Sequence, residues 1–242
     1  MGLLNGLDLF SGIGGISYAL GDYVRPIAYC EIDRYCQGVL LSRMANSSIV
    51  VAPIWDDIRS LSILQGLPNC IDIIYGGFPC QDISIAGLGK GLAGERSGLF
   101  YEIVRLCREI KPRFVFLENV PAITTRGGTE VVREITALGY DCRWCIISAA
   151  SVGKNHIRER FFLLAHPHSE SKHRFPSGEK ERQPIIKLRA EYEECEPFPK
   201  NESTLLGMDD ELSFRMDRTR ALGNSVVPQQ VKEAFEILIG LK

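Results

Sequence analysis

The feature that most restricts the fold of this chain is its alternation of short apolar runs with helical patterns, each pair joined by a turn. "GLDLF" reads as a strand and "GGISYAL" as a helix start, then "PIAYCEI" as a strand and "RYCQGVLLSRM" as a helix. "IDIIYGG" follows as a strand, "GLFYEIVRLCREI" carries apolar residues at helical spacing, and "RFVFLENV" is a buried strand stopped by Pro121. Strand and helix repeated in this order predict a doubly wound α/β domain, a parallel sheet covered on both faces. With 45% hydrophobic residues over 242 positions, the chain has enough apolar surface to build such a core without covalent staples. After a helix at "TEVVREITALG", the runs "YDCRWCIISAA" and "RERFFLLAH" are separated by a short polar link and predict a hairpin.

The pattern breaks at residue 166. From His166 to Arg189 there are six Lys/Arg against three Asp/Glu, a local net of +3 in a chain whose overall net is −2. A solvated basic loop accounts for this segment, and so does a nucleic-acid contact. Order returns at "RMDRTRALGNSVVPQQVKEAFEILIG", where Val231 to Ile239 is amphipathic at helical spacing. No apolar run reaches the roughly 20 residues that span a bilayer. The eight cysteines are scattered through strands and helices with no signal peptide before them, which predicts reduced thiols and a cytoplasmic protein.

"DLFSGIGGISYAL" puts Gly12, Gly14 and Gly15 between a strand and a helix, where backbone can approach a ligand and free N–H groups point at it. Glu31 ends the second strand 16 residues after Gly15, the place from which a carboxylate accepts ribose hydroxyls in dinucleotide folds. Asp57 in "WDDIR" sits where the third strand should end and could accept from an adenine amino group. The glycines run G-x-G-G and not G-x-G-x-x-G, so the turn favours an adenosine ligand without a diphosphate and argues against a dehydrogenase.

"GGFPCQDIS" raises a separate question. Cys80 lies in the loop after a strand, and Pro79 fixes its own φ and biases Phe78 towards extended backbone, which aims the thiol. A thiol with an unperturbed pKa near 8.5 needs a cationic or helix-end environment to act as a nucleophile. Arg158 and Arg160 are candidates to supply it. Glu118 ends the next strand at the same sheet edge, so thiol and carboxyl flank the nucleotide pocket and point to covalent catalysis with a proton partner.

In order along the chain, "DLFSGIGG", "EID", "DDI", "GGFPCQDIS", "RSGLF", "ENV", "IRER" and "LGNSVVP" resemble the motifs of the DNA cytosine-5 methyltransferases, especially small bacterial and phage members. Only about residues 167 to 215 fall outside this resemblance. It implies a Rossmann-like, S-adenosylmethionine-dependent methyltransferase sheet with a short, irregular target-recognition insertion. The units it implies are a catalytic, cofactor-binding domain over 1–166, a recognition region over 167–215, and a C-terminal motif and helix over 216–242 that pack back on the first. The cofactor contacts so implied are Phe10, Gly12 and Gly14 to methionine and backbone, Glu31 with Ile32 beside it at the ribose, Asp57 and Ile58 at the adenine, and Leu99, Asn224 and Val226 elsewhere. Cys80 becomes the nucleophile, Glu118 the group at cytosine N3, Arg160 a contact to the base O2, and Arg158 a support for the same loop and nearby phosphate.

The same resemblance makes double-stranded DNA the partner, with S-adenosylhomocysteine as product and the protein acting as a monomer. Gln81 and Ser84 would touch DNA from the catalytic loop, and Lys172, Arg174, Lys180 and Arg182 from the recognition region. That region is under 50 residues long, shorter than the family usually has, which leaves room for loose readout or an accessory specificity protein. "NHIRER" departs from the family pattern at Asn155 and Ile157. Two rival readings are a catalytically silent DNA-binding regulator and a tRNA methyltransferase of the same family, though the Cys-Phe-Thr tripeptide of that branch is absent. Cys142 and Cys145 form a single C-x-x-C in mid-strand, which favours packing over metal binding, and no metal is expected.

Overall fold

The computed structural model describes residues 2–68, 70–79, 98–168 and 212–242. Seven strands form one sheet: β1 (Leu4–Leu9), β2 (Val24–Cys30), β3 (Ile54–Trp55), β4 (Ile73–Gly77), β5 (Phe114–Asn119), β6 (Tyr140–Ile147) and β7 (Arg160–Pro167). Their order is β3-β2-β1-β4-β5-β7-β6. The first five run parallel to one another, as the strand-helix alternation predicts. The expected hairpin forms as β6 and β7, paired from Tyr140↔Pro167 to Ile147↔Arg160. Its second strand inserts antiparallel between β5 and β6, so the sheet is mixed.

The apolar runs are buried on both faces because successive side chains serve opposite helical layers. On one face Ile74, Val115, Leu117 and Leu163 meet α3 (Leu99–Ile110) and α4 (Gly128–Ala137) through Ile103, Leu106 and Ile135. On the other, Ile73, Tyr75, Phe116 and Phe162 meet α1 (Gly15–Ala19) and α6 (Pro228–Ile239). Phe116 is the hub of that layer, stacked on Phe162 at 5.8 Å and edge-on to Phe235 at 5.4 Å. A third apolar group, Tyr29, Leu40, Met44 and Ile49, seats α2 (Arg34–Ala45) beside β2. The helix α5 (Leu212–Asn224) was not assigned from the sequence, since its polar residues leave no apolar stripe to read.

The sheet leaves no room at Gly76, which pairs with Leu9 where β1 and β4 run side by side. A Cβ there would lie 2.0 Å from the Leu9 carbonyl oxygen and 2.9 Å from its carbon, backbone atoms that cannot swing away. Gly76→Ala is therefore expected to lower stability by about 3 kcal/mol or more. The midpoint of urea unfolding reads this directly, and an unchanged midpoint would show that the two strands can part freely.

Candidate active site

Strand order reverses between β1 and β4, the switch point at whose carboxyl edge doubly wound sheets hold ligands. A single cleft of about 600 Å³ opens there. One end is built from the turn after β1. Phe10 and Gly12 both take φ 53°, and Gly14 takes φ 78° as the residue before α1. The turn is stapled to β2: Ser11 N–H donates to the Cys30 carbonyl at 3.1 Å, and its hydroxyl donates to the Asp8 carbonyl at 2.9 Å. Gly12 N–H donates to Glu31 Oε2 at 2.7 Å, while Asp33 N–H donates to Glu31 Oε1 at 2.8 Å. Each carboxylate oxygen keeps a second lone pair, so Glu31 is held in place and can still accept hydroxyls.

Asp33 continues the same edge. Its Oδ1 caps α2 by accepting from Tyr35 and Cys36 N–H at 2.9 and 3.1 Å, and its Oδ2 pairs with Arg220 of α5. Arg220 was not singled out from the sequence, nor was Asp33. Together they tie the C-terminal segment across the cleft. Of the predicted cofactor residues, Phe10, Gly12, Glu31, Ile32, Asp57, Ile58, Leu99 and Val226 line the cleft. The Asn224 side chain lies outside the description. Gly14 does not line it: a Cβ at Gly14 would strike Leu40 Cδ2 at 2.9 Å and Ile49 Cδ1 at 3.3 Å, so its place is set by packing under α2.

Beneath the turn, Asp8 is buried, accepts from the Ser17 hydroxyl at 2.5 Å, and has an Oδ1 with no hydrogen-bond partner among the described residues. Burial pushes its pKa up from 3.8 to about 7, against the pull of Ser17 and Ser11. A carboxyl raised on folding binds its proton more tightly in the native state, so the stability it allows is full below the unfolded pKa and falls as pH rises through about 7. Asp8→Asn is expected to flatten the decline in thermal midpoint between about pH 4 and about 7. An unchanged slope would place the decline elsewhere.

The other end of the cleft holds the expected reactive carboxyl. Glu118 pairs with Gly77 across β4 and β5 and receives Arg160 Nε at 2.9 Å on its Oε1. Burial pushes Glu118 up from 4.5 to about 7, with Arg160 and then Arg158 pulling it down. A Cβ at Gly77 would lie 2.7 Å from Glu118 Oε2, so a larger residue there would have to displace the Glu118 carboxylate. Asn119, the next residue, donates from Nδ2 to the Phe78 carbonyl at 3.0 Å. Phe78 and Pro79 line the cleft, and this bond anchors the backbone one residue before Pro79, so the chain is delivered towards Cys80. Cys80, Gln81, Ser84 and the glycine-rich stretch after them lie outside the described residues, as do Lys172, Arg174, Lys180 and Arg182.

Arg158 is placed differently from Arg160. Its Nη2 donates to the carbonyls of Gly223 and Ser225 at 2.6 and 2.8 Å, pinning the turn that carries Val226. The buried Gln230 completes the joint by donating from Nε2 to the carbonyls of Ile147 and Arg158 at 2.9 and 2.5 Å. Val226 in turn lies where a Cβ on Gly15 would be, at 2.9 Å. The third glycine is thus a packing requirement of the C-terminal turn. Cys145 and Cys142 serve opposite faces of the sheet, so they cannot share an ion. Among the described residues no cluster suits a metal, and no helix is long and apolar enough to cross a membrane.

A mixed sheet with a glycine turn after β1, a carboxylate after β2 and a buried carboxyl at the end of β5 defines an α/β, Rossmann-like methyltransferase fold. The chain belongs to the C-5 cytosine-specific DNA methylase family, whose model matches residues 4–206. That match runs well into the 167–215 stretch that the motifs alone leave outside. The type II methyltransferase M.CviJI of Paramecium bursaria Chlorella virus IL3A is 32% identical over 230 residues, 95% of this chain and 58% of that protein. M.NlaX of Neisseria lactamica is 31% identical over 206 residues, 82% of this chain and 62% of its own length. M.HhaI of Haemophilus parahaemolyticus is 34% identical over 163 residues, 65% and 47%. The chain thus spans roughly half to three-fifths of these relatives.

Among solved structures, a DNA modification methyltransferase encoded within an E. coli prophage superposes with TM-score 0.54 at 27% identity, over 69% of this chain and 48% of that one. The S. pombe Dnmt2 methyltransferase gives TM-score 0.56 at 22% identity, over 68% and 51%, a likeness of fold.

Proposed function

We propose that the chain methylates carbon 5 of cytosine in double-stranded DNA, with Cys80 as nucleophile and S-adenosylmethionine as methyl donor. The observation that carries this reading is the Glu118–Arg160 pair at 2.9 Å, in one cleft with the glycine turn and Glu31, beside the Phe78–Pro79 lead to Cys80. The donor set fits an adenosine ligand: Glu31 offers two free lone pairs at a ribose, Ile32 is 70% exposed at the cleft wall for stacking, and Asp57 stands beyond it. Asp57 is itself shaped by the Arg59 N–H, which donates to its Oδ1 at 2.9 Å. When bound, S-adenosylmethionine supplies an electrophilic sulfonium methyl group.

Cytosine C5 is too weak a nucleophile to take that methyl unaided. The Cys80 thiolate adds to C6, and the displaced electron pair makes C5 nucleophilic while negative charge grows towards N3. Glu118, protonated below about pH 7, donates its proton to N3 as this happens. Arg160, held on Glu118, faces the O2 side of the ring in this arrangement. After methylation, the C5 proton passes to a solvent base, Cys80 leaves as thiolate, N3 returns its proton to Glu118, and the aromatic ring is restored. Since a stacked base shows its faces to neither Cys80 nor Glu118, the cytosine must leave the helix stack to react. We assign DNA contact to Gln81, Ser84 and the basic residues Lys172, Arg174, Lys180 and Arg182, whose phosphate contacts alone give affinity without sequence choice.

Incubation with S-adenosylmethionine and duplex DNA containing 5-fluorocytosine tests the reading in one step. Fluorine cannot leave as a proton does, so the enzyme should remain attached as an adduct that survives denaturation. An adduct that requires both cofactor and Cys80 supports the reading. Absence of an adduct on random-sequence duplex, followed by one on a tRNA pool, would replace DNA with RNA as substrate, and absence on both would leave a silent binder.

A further inference from the structure

Resting on the cofactor reading above, we infer that Arg105 is a positioning residue for the adenine end of the site. It lies on α3, outside the cleft, and four of its five N–H donors have partners. Nη2 donates to the carbonyls of Ile58 and Leu61 at 3.0 and 2.9 Å, which are 47 and 44 residues earlier in the chain. Nε and Nη1 are held by Glu102 at 2.6 Å and Glu109 at 2.8 Å. The guanidinium is thus oriented by two carboxylates on its own helix and spends its Nη2 donors on one loop. A planar fork with fixed donor directions does this, and a lysine ammonium cannot reproduce it.

That loop carries Asp57 and Ile58. Its own bonds are local: Ser60 N–H and hydroxyl both donate to the Asp57 carbonyl, at 3.1 and 2.9 Å, and Leu61 N–H donates to the Ile58 carbonyl at 3.2 Å. The Ile58 and Leu61 side chains are buried in the α3 layer, yet apolar packing alone does not fix the azimuth of the backbone. The Arg105 bonds do. Because α3 also begins at Leu99, which lines the cleft, the same helix sets the adenine loop at one end and a cleft wall at the other.

The test uses isothermal calorimetry with two ligands, S-adenosylhomocysteine and its inosine counterpart, in which the 6-amino group is replaced by a carbonyl oxygen. Asp57 should favour the amino form in the wild type. Arg105→Lys and Arg105→Met are expected to weaken S-adenosylhomocysteine about tenfold, as for loss of charge-assisted hydrogen bonds, and to shrink the preference for the amino form towards unity. Arg108→Gln, on the exposed face of the same helix, should bind like wild type. If both ligands weaken equally in the Arg105 variants, or neither does, the positioning role is overturned. If the wild type binds neither ligand, the cofactor reading itself has failed.

Discussion

Cys80→Ser is expected to abolish methyl transfer, with a fall of roughly four orders of magnitude or more, while affinity for S-adenosylhomocysteine stays within about twofold. A serine hydroxyl has almost no anion at neutral pH, so addition to C6 fails even with the base in place. None of the described thiols that line the cleft can substitute. Cys30 and Cys36 line the same cleft, but burial, with Glu31 as the next cause, pushes both up to about 12, and they remain protonated thiols. Burial likewise holds Cys107, Cys142 and Cys145 at about 12. Tritiated methyl transfer and the 5-fluorocytosine adduct measure the effect independently. A serine variant that still methylates would sink the covalent route, and one that loses cofactor affinity would show that Cys80 shapes the site instead.

Glu118→Gln should lower kcat/KM by about a thousandfold and also change the shape of the pH profile. In the wild type, thiolate formation at Cys80 favours high pH, whereas Glu118 must carry its proton and loses it as pH rises through about 7. The two demands give a bell whose alkaline limb belongs to Glu118. Glutamine has no proton to lose in this range, so that limb should vanish while the acid limb remains. Removing Arg160 takes away the cation that pulls Glu118 down, so Arg160→Ala should move the alkaline limb to higher pH as it slows the reaction. A profile for Glu118→Gln with the wild-type alkaline limb would assign that limb to another group.

These variants act on a site whose members were unequally legible. Glu31, Glu118 and Cys80 could be marked because each sits at or just beyond the end of an apolar run, where a parallel sheet gathers ligand-facing groups at one edge, whereas Arg160 opens the antiparallel β7 and reaches Glu118 only because that strand runs the other way. The role of Gly14 could not be read the same way. Its sequence position suits a ligand turn, but Leu40 and Ile49, brought over it by α2, give it a packing reason instead. Arg158 lies two residues from Arg160 and invited the same role, yet its guanidinium serves carbonyls 65 and 67 residues away. Asp8, Asn119, Arg105 and Gln230 carried no local signal, since a lone polar residue in an apolar run or on a helix face announces no partner.

The sequence by itself determined the order of the strands and of every helix but α5, the hairpin at the end of the sheet, the glycine turn and the edge at which Glu31 and Glu118 gather. These follow from periodicities of two and 3.6 residues and from backbone angles that glycine adopts freely, all settled within a few residues of chain. Tertiary structure alone decided that Gly76 admits no side chain, that Arg158 pins the C-terminal turn, and that Arg105 holds the Ile58 and Leu61 carbonyls. Those contacts depend on which strands become neighbours, and that order arises only when distant segments bury their apolar faces together.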